Sequence, residues 1–229
     1  MTEAEPLAPP RTYPYETDGR AIYRESFATI RRETDLTHLP EALHPVAVRM
    51  VHAAGDTSLP AVVAGHPDVV AAARGALEAG APILTDSRML AAGITSARLP
   101  ADNAVRCLLR DDRTAGLAEA WGTTRSAAAV SLWEPDLEGA VVAIGNAPTA
   151  LFHLLEMLHA GAPRPAAIVG MPVGFVGAAE SKEALAAHRL DDADLPGGQV
   201  PWLTVHGRRG GSALAASALN ALATAQEIL

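Results

Sequence analysis

Cysteine is almost absent from this sequence, which carries only Cys107 among 229 residues. One cysteine cannot form a disulfide within the chain, and it cannot build a cysteine-rich zinc or iron–sulfur site. The CxxC and HExxH motifs do not occur, so the sequence predicts no zinc site of either kind. A chain without a disulfide framework is typical of a reducing compartment, and we therefore expect a cytoplasmic protein.

Basic clusters, aromatic residues and long apolar runs are scarce as well. The formal net charge is −8 and aromatic residues make up 4% of the chain. No lysine–arginine block could follow a nucleic-acid backbone. No apolar run is long enough to span a membrane, and the proline-rich stretch at the N-terminus has no apolar signal-peptide core. We therefore expect neither a nucleic acid nor a membrane as a partner.

Short apolar runs alternate with alanine-rich helical segments along most of the chain. Hydrophobic residues make up 49% of the sequence. The apolar runs predicted as strands are Ala61–Gly65, Ala81–Asp86, Asn103–Leu109, Gly139–Gly145, Ala166–Pro172 and Val200–Gly207. Such alternation requires right-handed crossovers, which build a parallel sheet covered by helices on both faces. The predicted fold class is therefore α/β, with a mainly parallel, doubly wound sheet.

No linker divides this alternating pattern into two domains. The chain is long enough for one large domain with a buried core. We predict a loose lead over residues 1–13, followed by a single α/β domain over residues 14–229. A stretch rich in acidic residues, His188–Gln199, is predicted as a long loop.

The loops that follow the predicted strands are the expected place for a ligand, because open α/β sheets bind ligands at the carboxyl ends of their strands. Asn146 follows one strand and is predicted to cap the next helix, with Pro148 in its first turn. The glycine-rich loop "HGRRGGS" could cradle a carboxylate or a phosphate. Neither this loop nor "GMPVGFVG" has the spacing of a nucleotide-binding loop, which disfavours a flavin or nucleotide module.

Several of these strings occur with others in one specific order: "YETDGRAIYRESFATIR", "VRMVHAAGD", "GAPILTDSRML", "TRSAAA", "VVAIGNAPTALFHLLEML", "PAAIVGMPVGFVGAAESKEAL" and "GRRGGSALAASALNALA". In this combination the sequence resembles the precorrin-8X methylmutases of cobalamin biosynthesis. The resemblance implies a flavodoxin-like three-layer α/β/α fold and a homodimer. It implies an isomerase that moves a methyl group from C11 to C12 of precorrin-8X, giving hydrogenobyrinate. It also implies that the protein holds no redox cofactor and no metal ion.

The resemblance further implies a catalytic histidine. His52, in the matched segment "VRMVHAAGD", is implied as the acid that protonates the macrocycle. Taken alone, a histidine on an apolar helix face is more often a packed core residue. Within the matched segment the catalytic interpretation is favoured, because the ordinary histidine pKa of about 6.5 suits proton donation near neutral pH.

Side chains that contact an anionic tetrapyrrole must supply positive charge locally, because the chain as a whole is acidic. Tyr23 and Ser26 lie three residues apart on the predicted first helix and so share one face. The resemblance suggests that this face reaches the substrate. Without it, the candidate arginines would be solvated surface residues, and Arg209 is an alternative to Arg208. The residues predicted to bind substrate are Tyr23, Ser26, Arg88, Thr95, Arg125, Asn146 and Arg208.

Two features depart from the family pattern. Ala54 stands where the family often has cysteine, and the region His188–Trp202 is longer than usual. An alternative function is a non-catalytic corrinoid-binding carrier. Such a carrier would need the basic cleft but not a titrating His52.

Overall fold

The computed structural model describes residues 7, 10, 12–190 and 198–226. Most of the predicted lead over residues 1–13 lies outside the described residues. The same is true of residues 191–197 in the predicted acidic loop. Within the described part of the chain, a six-stranded sheet is covered by helices on both faces.

The strands form one sheet in the order β1-β6-β5-β4-β2-β3. Their bounds are β1 Val63–Gly65, β2 Ile83–Thr85, β3 Val105–Arg106, β4 Val141–Ile144, β5 Ala167–Gly170 and β6 Trp202–Val205. The other five strands, β2, β3, β4, β5 and β6, are all parallel to one another. Their order, β3-β2-β4-β5-β6, is that of flavodoxin-like doubly wound sheets. The predicted fold class is confirmed.

The two edge strands differ from the prediction. β1 pairs antiparallel with β6, although a parallel strand was expected, and a short 3₁₀ turn at Leu59–Val62 precedes it. β3 has only two residues, and both are exposed. An antiparallel edge strand on a parallel sheet is common. An edge strand is covered less than a central one, so apolar runs alone did not reveal either difference.

Ten α-helices lie among the described residues. Their bounds are α1 Gly19–Glu33, α2 His44–Ala54, α3 Val69–Glu78, α4 Arg88–Gly93, α5 Asp112–Ala120, α6 Arg125–Ser131, α7 Glu134–Leu137, α8 Pro148–His159, α9 Ala178–Ala187 and α10 Ser212–Leu222. Residues of α1, α2, α3, α4 and α10 belong to one core cluster. Those of α6, α7, α8 and α9 belong to a second.

Alternate residues of the central strands serve these two cores. Val141 and Ala143 of β4 lie in the first cluster, while Val142 and Ile144 lie in the second. Successive side chains of a strand point to opposite faces, so a strand covered on both sides must be apolar at every position. This requirement explains why the central strands read as unbroken apolar runs.

α10 is the central helix of the first layer. Ten of its 11 residues are buried, and it packs against both α2 and α4. Its small side chains allow close approach: a Cβ added at Gly93 of α4 would lie 2.8 Å from Cβ of Ala216. The C-terminal end of α2 and the first turn of α10 line one cavity. That packing brings His52 to the same end of the sheet as the loop between β6 and α10.

Candidate active site

His52 lies in the last turn of α2, and its imidazole is held by α1. Nδ1 of His52 is 2.9 Å from Oγ of Ser26. The ring centroid is 5.3 Å from that of Tyr23 and 5.0 Å from that of Phe27. The side chain is half-buried, and among the described residues Nε2 has no hydrogen-bond partner. One ring nitrogen is therefore fixed, while the other can meet a ligand.

The surroundings of His52 favour the neutral imidazole. Burial lowers the pKa of His52, and the positive charge of Arg49 lowers this pKa further. The Arg49 guanidinium lies over the Phe27 ring, 5.2 Å from its centroid. In the absence of a ligand, the group is thus a better proton donor than an ordinary histidine, but it carries its proton for less of the time.

Tyr23 and Ser26, which the helical spacing places on one face of α1, meet His52 in the structure. Tyr23 and Ser26 both face His52 from α1, and Tyr23 remains 41% exposed. A side chain that is exposed and also touches the imidazole can contact a ligand at the same place. The geometry therefore agrees with a site on this face of α1, while the roles of the three residues stay a prediction.

Arg98 is a basic residue at this site that the sequence did not single out. It is buried, its Nε donates to the carbonyl of Asn220 at 3.0 Å, and a hydrogen bond joins it to the carbonyl of Gln226. Burial and Arg49 lower the pKa of Arg98, whereas Tyr23 raises it. Nothing in the sequence marks a buried arginine, because its burial depends on the approach of α10.

Thr95 lies next to this arginine but its hydroxyl is not bound to it. The Thr95 N–H donates to Oδ1 of Asn220 at 2.9 Å, and its carbonyl accepts from the Arg98 N–H at 2.9 Å. The residue is exposed. Its backbone is thus anchored to α10, and its hydroxyl is free of hydrogen bonds within the described part of the chain.

A cavity of about 310 Å³ opens beside the end of α2. It is lined by Ala53 and Ala54, which follow His52, and by Val173 and Arg209 from two strand-following loops. Arg209 is 3.1 Å from the Asp56 carboxylate and donates to Oγ of Ser58 at 3.0 Å. The volume is at the lower end of the range of about 300–1,000 Å³ for ligand sites.

Arg88 and Arg125 both lie beside the segment that follows β3, residues 107–111. This segment is at the opposite side of the sheet's carboxyl edge from the loop between β6 and α10. Arg88, the first residue of α4, lines a cavity with Arg110 and Cys107. Nη2 of Arg125 donates to the carbonyl of Leu109 at 3.2 Å. Arg125 begins α6 and does not lie at the exit of a strand, because α5 stands between β3 and α6. Both arginines are exposed.

The prediction that Asn146 caps α8 is wrong. The N-cap residue is Ala147, which offers no capping side chain. The Asp86 carboxylate instead holds the turn that leads into α8, accepting N–H bonds from Gly145 at 3.1 Å and from Asn146 and Ala147 at 2.8 Å. Burial raises the pKa of Asp86, while these hydrogen bonds oppose the rise. Asn146 itself is exposed.

Arg208 lies on the loop between β6 and α10. Its guanidinium is 5.2 Å from the centroid of the Phe175 ring. Phe175 and Val176 are more than four-fifths exposed, at 83% and 89%. Arg208 therefore stands with apolar side chains at an open edge, where it can meet an anionic ligand.

His188, predicted as the start of a long loop, is a buried structural residue. Its Nδ1 bonds to the carbonyl of Leu185, and its Nε2 accepts from the Val200 N–H at 3.1 Å. Within residues 12–190 and 198–226 no group of His, Cys, Asp and Glu could hold a metal ion. No helix of the described chain is long and apolar enough to cross a membrane.

Comparison with protein families gives one matching description. The model of the family described as precorrin-8X methylmutase matches residues 21–225 of this chain. Among curated relatives, the precorrin-8X methylmutase of Sinorhizobium sp is 58% identical over 92% of this chain and 97% of its own. That of Pseudomonas aeruginosa is 56% identical, over 93% and 99%. The cobalt-precorrin-8 methylmutase of Priestia megaterium is 32% identical, over 96% and 91%.

Solved structures agree with the sequence comparison. The precorrin-8X methylmutase of Thermus thermophilus superimposes with a TM-score of 0.78 at 40% identity, covering 90% of this chain and 95% of that one. A precorrin-8X methylmutase-related protein superimposes with a TM-score of 0.74 at 33% identity, covering 85% and 96%. The similarity therefore extends over nearly the whole length of the described fold.

Proposed function

The chain belongs to the precorrin-8X methylmutase family, and from this membership we propose that His52 is the acid of a methyl migration from C11 to C12 of precorrin-8X. The enzyme is an isomerase of cobalamin biosynthesis, and the proposed product is hydrogenobyrinate. The observation that carries the catalytic assignment is the half-buried imidazole of His52. Its Nδ1 is bound to Ser26, and its Nε2 is without a partner among the described residues.

Protonation explains how one side chain can promote the rearrangement. Positive charge on a ring nitrogen of the conjugated macrocycle lowers the barrier for a carbon that migrates to the neighbouring position. In the proposed step, Nε2–H of protonated His52 donates to that nitrogen, the methyl group shifts, and the proton returns to Nε2 as the product relaxes. No atom is gained or lost. A well-placed proton donor contributes about 10²–10⁴-fold to such a rate.

Substrate binding itself supplies the protonated histidine. In the free protein, burial and Arg49 lower the pKa of His52, so the neutral form prevails at pH 7. The proposed substrate carries several carboxylates, and a negative charge close to the imidazolium raises its pKa. The protein therefore acquires its acid in the complex, where the proton is used.

The arginines of the carboxyl edge are proposed to bind the substrate carboxylates. Arg88, Arg125 and Arg208 are all exposed, and guanidinium groups pair with carboxylates through two parallel hydrogen bonds. Tyr23, Ser26, Thr95 and Asn146 are proposed to contact the ring or its side chains. The chain's charge of −8 makes this local recognition necessary, since the overall field repels an anion.

Two further features of the active protein belong to the same proposal. The metal-free substrate is favoured over its cobalt form. The two relatives named for precorrin-8X are 58% and 56% identical to this chain, whereas the Priestia megaterium relative named for cobalt-precorrin-8 is 32% identical.

We also propose a homodimer in the cytoplasm. Light scattering should then give twice the chain mass of 23.7 kDa, and a monomer mass would refute the dimer.

The catalytic proposal is tested by incubating precorrin-8X with wild-type protein and with His52→Ala. Conversion is measured from the ultraviolet–visible change of the macrocycle. Wild-type protein should convert the metal-free form. His52→Ala should lose about 10²–10⁴-fold in kcat while still binding the ligand. His159→Ala, which removes an exposed histidine at the far end of α8, serves as the matched control and should turn over normally.

The results separate the enzyme from a carrier. Tight binding of metal-free and cobalt forms without conversion would support the carrier and contradict the enzyme. Turnover near the wild-type rate in His52→Ala would remove His52 from catalysis while leaving the methylmutase activity in place. Conversion of the cobalt form alone would overturn the proposed choice of substrate.

A further inference from the structure

Asp86 is a buried carboxylate at the reversal point of the sheet. It follows β2 directly and is 3% exposed. In the parallel order β3-β2-β4-β5-β6, the connections run outward in opposite directions from β2 and β4. The crevice between two such strands is where doubly wound folds bind their ligands. Asp86 therefore occupies a place at which a bound ligand is expected.

The backbone around Asp86 has the form of an anion site. Three successive N–H groups, from Gly145, Asn146 and Ala147, converge on the two oxygens of its carboxylate at 2.8–3.1 Å. They precede α8, whose N-terminus carries partial positive charge. Converging N–H groups at such a terminus bind phosphates and carboxylates in other proteins. Here the chain fills the site with its own side chain.

The same loop is held from a second direction by α10. A Cβ added at Gly145 would lie 2.9 Å from Cα of Ser212 and 3.0 Å from Cβ of Ala215. Next to Asp86, Oγ of Ser87 is 2.9 Å from Oγ of Ser212. The backbone at residues 145–147 is thus pinned between β2 and α10. For Asn146, the exposed residue at its centre, these contacts fix the direction of the Cα–Cβ bond.

We propose that Asp86 is a positioning residue, which takes the place of a bound anion at the switch point and thereby fixes the Asn146 side chain for contact with the substrate. The inference rests on the proposed function, because it requires Asn146 to touch the substrate. It also means that the N–H groups of residues 145–147 are not available to a substrate carboxylate. The arginines of the carboxyl edge must make that contact instead.

A double-mutant cycle tests the coupling between the two residues. Asp86→Asn keeps the volume but turns an NH₂ group toward the backbone N–H groups, so the loop should lose its single arrangement. We expect kcat/KM to fall about 10–100-fold in the wild-type background and less than about 2-fold in the Asn146→Ala background. Losses that simply multiply would show that Asp86 only stabilises the fold, and they would overturn the proposal.

Rescue by a small anion adds a readout, the melting temperature, that does not depend on Asn146. Asp86→Ala should leave an empty anion site, so formate should raise the melting temperature of this variant and restore part of kcat/KM. Wild-type protein should show neither response, and chloride at equal ionic strength is the control. If Asp86→Ala folds only with formate, the refolding yield reports the same binding. Absence of any formate response would overturn the anion-replacement part of the proposal.

The outcomes distinguish this proposal from the function on which it rests. No conversion of precorrin-8X by wild-type protein would refute the function, and the formate response would still decide whether Asp86 fills an anion site. If wild-type protein converts the substrate normally and Asn146→Ala leaves kcat/KM unchanged, only the positioning role is overturned.

Discussion

At the scale of single residues, the hydrogen bond between Ser26 and His52 sets which nitrogen of the imidazole can act. In protonated His52, Nδ1–H donates to Oγ of Ser26, 2.9 Å away, so Nε2–H is the proton available to a ligand. A histidine whose second nitrogen is fixed is held in one orientation as well as one protonation pattern. The pair therefore explains why the residue three positions after Tyr23 on α1 is polar.

Ser26→Ala should weaken catalysis without abolishing it. Loss of this bond frees the ring to rotate and leaves Nδ1 able to compete as the donor, so we expect kcat to fall about 10-fold. The measurement is steady-state turnover of precorrin-8X together with ligand affinity. Thr37→Ala, which removes an exposed hydroxyl bonded to Asp35, is the control and should leave kcat unchanged. Unchanged kcat in Ser26→Ala would remove the orienting role.

The pH dependence of the reaction should show two different limits. kcat/KM reports the free enzyme, in which burial and Arg49 lower the pKa of His52; it should fall as pH rises through a value below 6.5. kcat reports the complex, in which the substrate carboxylates raise that pKa, so its fall should come at higher pH. Rate profiles between about pH 5 and 9 measure both.

Arg49→Met provides the control for this pH prediction. Removing the positive charge should move the fall in kcat/KM to higher pH, because the electrostatic part of the lowering is lost while burial remains. A fall in both parameters at one common pH, unchanged in Arg49→Met, would show that His52 is not the titrating acid.

At the scale of elements, the loop between β6 and α10 fits the end of β5 with no room for a side chain. Gly210 has a φ of 151°, and a Cβ there would lie 2.2 Å from the carbonyl oxygen of Met171. The Gly211 N–H donates to the same oxygen at 2.9 Å. This close approach lets α10 begin beside the cavity at the end of α2.

Gly210→Ala should therefore destabilise the protein by about 3 kcal/mol, because the new Cβ collides with fixed backbone. Gly207→Ala is the matched control on the same loop: its φ is 75°, but no atom lies within 4 Å of an added Cβ. It should cost about 1 kcal/mol of backbone strain. Urea unfolding compares the two variants, and equal losses would contradict the predicted collision.

At the scale of the whole molecule, one buried charge links the second helical layer to the candidate site. Lys182 of α9 is fully buried, and its Nζ donates to the carbonyl of Arg209 at 2.5 Å. Burial lowers the pKa of Lys182 to about 8. The ammonium thus secures the β6–α10 loop, at a cost in solvation that depends on pH.

This cost predicts a pH dependence of stability. Below pH 8 the group is charged in both states, and its burial disfavours folding. Between about 8 and 10.5 the unfolded chain binds the proton more tightly than the folded one, so the group's contribution to stability rises with pH. The free energy of unfolding of wild type relative to Lys182→Met should increase by on the order of 1 kcal/mol from about pH 7.5 to 9.5.

Urea unfolding at the two pH values makes this measurement. Glu183→Gln, which changes an exposed residue on the same helix, is the control and should show the same change with pH as wild type. A constant difference between wild type and Lys182→Met would contradict the lowered pKa.

The sequence predicted the central part of the fold more closely than its edges. β4 and β5 lie within the predicted runs, because strands buried on both faces must be apolar throughout. The antiparallel direction of β1 was not predicted, since direction depends on the path of the chain before Val63. Asn146 was predicted to cap α8, and local spacing could not show that Asp86, 60 residues earlier, binds the N–H groups of the turn before this helix.

The sequence alone determined the α/β class, the family resemblance and the helical pairing of Tyr23 with Ser26, because alternation and local spacing are properties of neighbouring residues. The tertiary structure decided that Ser26 meets Nδ1 of His52, that Arg98 is buried by its contact with Asn220, and that Asp86 fills the turn before α8. These contacts join residues 26 to 122 positions apart. They follow from how α1, α2 and α10 pack on the sheet, which depends on the whole core rather than on any one segment.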